Sequence, residues 1–436
     1  MSVLVQNLST GEVIDEYRSG YVVPPASVMK LLTTGAALQL LGEDYRFPTT
    51  IEHTGTVTDG VLHGDLFIRG CCDPGLGTKG KQAFLYQWIK ALKAYGIRRI
   101  DGAVIADMTM LDGEAQNPNW LCEDAGNYYA PGIFALNYYD NTMNIVLRSG
   151  PVGTPAVVMN TEPQVEDIRF INHIRCTSIT YDGAFVSGLP YSHERYLTGC
   201  VPSNLGTFGV KGDLPNPGLL LARHFTMRLR EQGIEVSREA GYIADYNPLT
   251  PPRTVVYTHY SAPLSELIRE TNVHSNNLYA EALFRYLGTQ YGIPGTIHNS
   301  QEMLRDYWRR RGINMQNAII KDGCGLAPQD AVSARTFVQL LTYMAHSRYA
   351  EAWFSSLPVS GESGTLKSLC AGTELQGRIH AKSGTIAGTK NFAGYIDLPD
   401  GDRWVFAVLV NSAPGKAKNI QYVIQQYLLD LYRTHW

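Results

Sequence analysis

The sequence is short of several things that would have fixed its class at once. No run approaches the roughly 18 apolar residues of a membrane-spanning helix, so no transmembrane segment is expected. The seven cysteines, Cys71, Cys72, Cys122, Cys176, Cys200, Cys324 and Cys370, contain no Cys-x-x-Cys pair and have no histidines at zinc-finger spacing. A metal cage is therefore not expected, nor is a cofactor. Their odd number leaves at least one thiol unpaired in a monomer and leaves disulfide pairing open. Neither sign of charge is in excess: 37 Lys and Arg stand against 40 Asp and Glu, a net charge of -3, which offers no general basic field for nucleic acid. There is no Gly-x-Ser-x-Gly nucleophile elbow, no internal repeat and no low-complexity tract. A basic and apolar leader is also missing, and the chain starts almost directly in a strand pattern, as a processed chain would.

What is present is a globular composition, 44% hydrophobic and 18% charged over 436 residues, long enough for two or three domains. Val3–Leu8 and Glu12–Tyr17 flank the short loop Ser9-Thr10-Gly11 and predict a β-hairpin. Pro25 then opens an apolar helix pattern that runs to Leu41 and stops at Gly42. Short strand patterns follow at 56–61 and 65–69, then a helix over 83–95 and a buried strand over 102–107, an α/β alternation. Residues 155–212 read as short strands with Pro and Gly turns. A helical pattern returns over 218–232, a strand over 255–260, and helices over 264–271 and 278–286. Near the C-terminus, Ile379–Thr385, Phe392–Ile396 and Trp404–Val410 predict an antiparallel meander. Ile420, Val423, Ile424, Tyr427, Leu428 and Leu431 then form a helical stripe that would cover it.

Three short motifs carry chemistry. Ser27-x-x-Lys30 puts a hydroxyl and an amine on one face at the head of the apolar helix. A serine hydroxyl must lose its proton as it attacks a carbonyl, and Lys30 can take it only when neutral. Bringing an ordinary lysine, near ~10.4, to about 7 asks for roughly 4 kcal/mol of ammonium destabilisation from burial and a neighbouring positive charge. A second cation is therefore expected nearby. Ser275-x-Asn277 lies between two predicted helices, and Lys382-Ser383-Gly384 lies in a strand of the meander. Alone, each triplet also reads as an N-cap with a solvated lysine, as loop capping, or as a strand-edge charge.

In this order and context, the set resembles the low-molecular-mass class C penicillin-binding proteins, the D-alanyl-D-alanine carboxypeptidase/endopeptidase family, over nearly the whole chain. Gly64-Asp65-Leu66 with Asp73-Pro74, Asp322-Gly323-Cys324-Gly325-Leu326, and Leu357–Gly361 leading to Gly364-Thr365-Leu366 are further landmarks of the likeness. It implies a penicillin-binding/β-lactamase-like catalytic domain at 1–45 and 256–436, an antiparallel sheet flanked by helices. That domain would be interrupted by an α/β domain at 46–154 and 213–255 and a small all-β insertion at 155–212. The implied activity is a serine D-Ala-D-Ala peptidase of the periplasm or cell envelope that acts on peptidoglycan stem peptides and is acylated by β-lactams. Its implied catalytic residues are Ser27, Lys30 and Ser275. Asn277, Lys382, Ser383, Gly384 and Thr385 would bind substrate, the Ser27 and Thr385 N–H groups would form an oxyanion hole, and Asp124 would meet the stem peptide's side chain. Two departures stand out: Ser383 where the family more often has Thr, and Cys324 where it usually has Ser. A β-lactamase or esterase on the same serine, and a catalytically silent wall-peptide binder, are the competing functions.

Overall fold

A computed structural model describes residues 1–249 and 251–435. The chain divides into two compact units. The first takes Met1–Tyr45, Ala262–Gly292 and the chain from Ile297 onward; the second takes Arg46–Ser261 with Ile293–Thr296.

The first unit is built on a five-stranded antiparallel sheet in the order Val13–Tyr17, Ser2–Asn7, Arg403–Val410, Thr389–Asp397, Ile379–Ile386. The N-terminal hairpin and the C-terminal meander thus zip into one sheet, with Val5 opposite Phe406. The helix Ala417–His435 buries Ile420, Ile424 and Leu428 in one cluster with Val5, Phe392 and Phe406. At roughly 1.5–3 kcal/mol for each large apolar side chain, that stripe holds the helix to the sheet.

The helix Lys30–Leu41 is buried from Lys30 through Leu38, so it is apolar on every side instead of striped. Gly35 allows Trp308 to lie against it: an added Cβ would be 3.1 Å from the Trp308 ring, whose Nε1 donates to Leu32 O at 3.0 Å. Gly42 ends the helix at φ 87 with its N–H on Leu38 O. The start differs from the expected plain α-helix. Ala26–Met29 form a 3-10 turn, with Val28 N–H on Pro25 O, and Ala26 is held at φ 48. Ser27 therefore sits in a tight turn ahead of the helix.

In the second unit a five-stranded sheet runs Gly241–Ile243, Val104–Asp107, Leu66–Arg69, Pro48–His53, Thr254–Tyr260. The first three are parallel and the last two pair antiparallel. Thr254–Tyr260 pairs along its length with Pro48–His53, which carries this unit past position 256 to Ser261. Helices Ala83–Tyr95 and Pro217–Glu231 belong to the same unit. A three-stranded antiparallel sheet centred on Thr142–Ser149 and a mixed four-stranded sheet around Glu194–Pro202 make up its all-β portion, which begins upstream of 155. Among the described residues no helix is long and apolar enough to cross a membrane.

Candidate active site

Three segments of the first unit meet at Lys30. Its Nζ lies 3.1 Å from Ser27 Oγ, 2.6 Å from Asn277 Oδ1 and 2.8 Å from Cys324 O, and the side chain is fully buried. The two carbonyl oxygens can only accept. A neutral amine here would give both its hydrogens to them, and its lone pair would then face the Ser27 hydroxyl.

The second motif is held between two helix ends. Leu264–His274 stops with Ser275 at φ 57, and Asn277 opens Asn277–Gly288, so only Ser275 and Asn276 remain of the expected loop. Lys382 Nζ reaches Ser275 Oγ at 2.9 Å and its neighbour's carbonyl, Ser383 O, at 2.7 Å. The third-motif strand Ile379–Ile386 is the outermost of the sheet. Gly384 passes so near the turn that an added Cβ would lie 2.6 Å from Pro25 O and 3.1 Å from Ser27 N. Gly325 is under the same constraint from the other side, 1.8 Å from Ala26 O. Any larger residue at either position would displace the Ser27 turn.

Burial lowers the Lys30 pKa from the ordinary lysine value, opposed by Cys324, Asp322 and Glu281. Glu281 is itself pushed up to about 8, by burial first and then by Asp322, so it carries its proton at neutral pH and opposes little. Lys382 lies well below the lysine range because of burial, then Lys30 and Lys390. The two lysines also act on each other, each disfavouring a charge on its neighbour. Lys382 is equally buried and makes no ion pair to a carboxylate among the described residues, and desolvation is the largest influence on both lysines.

Several neighbours were not legible as site residues. Asp322 accepts N–H groups from Cys324 and Gly325 at 3.1 and 2.6 Å, and from Leu326 and Ala327 at 2.9 and 2.7 Å. That folds the loop which presents Cys324 O to Lys30. The buried Cys324 thiol reaches Asp322 Oδ2 at 3.6 Å, and burial holds its pKa far above the usual thiol value. Ligand atoms of Glu281, Asp322 and Cys324 lie within 4.8 Å of one another, the spacing of a metal set. Asp322 is committed to four backbone N–H groups and Glu281 to Gly323 N–H, the chemistry of a loop anchor. On the third-motif strand, Ser383 Oγ is bonded to Thr365 Oγ1 at 2.8 Å, and Lys390 Nζ donates to Thr385 Oγ1 at 2.9 Å. The landmark Gly364-Thr365-Leu366 was a signal for Thr365; none pointed to Lys390.

Asp124 belongs to the second unit and is not among the groups joined at Lys30; its buried carboxylate accepts the Tyr129 hydroxyl at 2.9 Å. His274 is turned to solvent beside Glu270, consistent with a residue outside the chemistry.

Residues 1–430 match the family described as D-Ala-D-Ala carboxypeptidase 3 (S13). The D-alanyl-D-alanine carboxypeptidase of Actinomadura sp. (strain R39) is 28% identical over 446 residues, spanning 95% of this chain and 78% of that protein. The D-alanyl-D-alanine carboxypeptidase DacB of Haemophilus influenzae is 24% identical over 413 residues, spanning 94% and 84%. The crystal structure of penicillin binding protein 4 (dacB) from Haemophilus influenzae has the same fold, with a TM-score of 0.86 at 22% identity over 99% of this chain and 96% of that one.

Proposed function

The chain belongs to the D-Ala-D-Ala carboxypeptidase 3 (S13) family of serine peptidases, and from that premise we propose that Ser27 is the nucleophile that cleaves D-alanyl-D-alanine ends of peptidoglycan stem peptides in the cell envelope. The observation that carries this reading is the triple hydrogen bonding of buried Lys30 to Ser27, Asn277 and the Cys324 carbonyl.

The Ser27 proton passes to neutral Lys30 as Oγ bonds to the substrate carbonyl carbon. The resulting oxyanion is received by the N–H groups of Ser27 and Thr385, each donor of this kind being worth ~10²–10³ in rate. Ser275, held by Lys382, passes its proton to the departing D-alanine nitrogen as the C–N bond breaks and takes one back from the Lys30 ammonium, which returns to the neutral amine. Water then attacks the ester while Lys30 accepts its proton, and that proton passes to Ser27 Oγ as the C–O bond breaks, which restores Ser27 and neutral Lys30. Asn277 has a side-chain amide to orient the substrate backbone, and the outermost strand offers its edge to the same backbone. Lys382 and the Thr385 hydroxyl receive the terminal carboxylate, the Ser383 hydroxyl being given to Thr365 Oγ1. That carboxylate brings the negative charge the lysines lack, so substrate binding favours the charged form of Lys382.

The same serine accounts for acylation by β-lactams, which supplies the test. Incubation with labelled penicillin and peptide mass mapping is expected to give one adduct, on Ser27, and none in Ser27→Ala. Label persisting in the variant would show that another group is the nucleophile. Rapid penicillin turnover without D-alanine release would make the chain a β-lactamase instead.

A further inference from the structure

The sheet places a third lysine at the carboxylate end of this site. Lys390 stands directly opposite Thr385 in the register of Ile379–Ile386 with Thr389–Asp397. It is only 9% exposed, its Nζ lies 2.9 Å from Thr385 Oγ1 and 5.1 Å from the centre of the Phe392 ring, and it forms no ion pair to a carboxylate among the described residues. A buried ammonium without a counter-ion is costly to the fold, and a methionine would fill the same space without that cost. The charge therefore has its use elsewhere.

Resting on the reading above, we propose that Lys390 is a positioning residue for carboxylate recognition: its ammonium occupies a lone pair of Thr385 Oγ1 and so commits the Thr385 proton to the substrate's terminal carboxylate. A hydroxyl has one proton to give. With its oxygen accepting from Lys390, that proton is directed to a different acceptor, and the positive charge behind it makes the hydroxyl a stronger donor. The need is local to this chain's third motif, because the Ser383 hydroxyl, the other candidate for the carboxylate, is already bonded to Thr365. Thr385 is left as the hydroxyl that must be aimed. Burial lowers the Lys390 pKa, and Lys390 in turn helps lower that of Lys382. An arriving carboxylate relieves both, so discrimination in favour of a free acid follows from the pair together.

The test compares one peptide ending in D-Ala-D-Ala as its free acid and as its C-terminal amide. Lys390→Met is expected to raise KM for the acid about tenfold, as loss of a charge-assisted hydrogen bond does, and so to lower the acid-to-amide preference by about the same factor. Lys390→Arg should recover much of it. Thr385→Val added to Lys390→Met should cost little more, because the two act through one hydrogen bond. Equal losses on acid and amide, or an unaltered preference, would overturn the inference while leaving the peptidase reading intact. A wild type that cleaves neither peptide and takes no penicillin label would overturn both.

Discussion

Two sets of buried cations, one in each unit, are handled in opposite ways. In the second unit, Arg195 and Asp213 are both fully buried and meet at 2.8 Å, and Arg195 also donates to the carbonyls of Leu189, Ser192 and Glu194. Arg253 is likewise matched, by Asp107 and, at 3.5 Å, by Glu52. In the first unit Lys382 and Lys390 have hydroxyls and carbonyls for company and no paired carboxylate among the described residues, while Lys30 is lowered by burial despite acidic groups nearby. A closed pair holds a fold together and changes its protonation only with difficulty. An unmatched ammonium destabilises the fold slightly and is ready to lose a proton or meet an incoming anion. The difference separates structural charge from charge kept for chemistry.

The largest effect that would sharpen this contrast is on rate. Lys30→Met should slow Ser27 acylation by about 10²–10⁴, the usual worth of a general base, as followed by stopped-flow with a chromogenic β-lactam. The corresponding change in the second unit, Arg195→Met, should act on stability: it leaves Asp213 buried without its partner, which costs ~3–5 kcal/mol in denaturant unfolding. Acylation by molecules that remain folded should stay near wild type. If Lys30→Met proved the more destabilising of the two, or Arg195→Met the slower to acylate, the contrast would fail. The smallest effect concerns Cys324→Ser. Lys30 meets the backbone carbonyl of that residue, so exchanging the thiol for a hydroxyl should alter acylation well under tenfold, in line with the ~1 kcal/mol net worth of one neutral hydrogen bond.

The residues of the three motifs were readable because local pattern sets their place. Helix start and stop signals locate Ser27 and Lys30 through Pro25 and Gly42, and strand alternation locates Lys382. The hairpin and meander were also legible, as was the helix stripe that covers them, except at Val423, which is exposed. What was not legible depends on segments far apart in sequence. The 3-10 turn at Ala26–Met29 answers to the close approach of Gly325 and Gly384, which no local rule announces. Asp322 reads as a loop acid until its four N–H bonds are seen. Lys390 looks like a strand-edge charge, and only its burial against Phe392 and its bond to Thr385 reveal otherwise. The sequence called for burial and a neighbouring positive charge at Lys30; burial is the largest influence there, and its extent is a property of packing that cannot be counted from charges in a chain.

The central claim is that Lys30 acts as an uncharged base, and the pH profile of Ser27 acylation tests it most directly. Burial places the Lys30 pKa below the ordinary lysine value, so the neutral form predominates above that lowered pKa and is lost as pH falls through it. Wild-type acylation should therefore rise with pH along a single ionisation and level off before the usual lysine range, a limb that vanishes in Lys30→Met. A wild-type rate that kept climbing toward pH ~10.4, as an ordinary exposed lysine would dictate, or a limb that survived in Lys30→Met, would contradict the account.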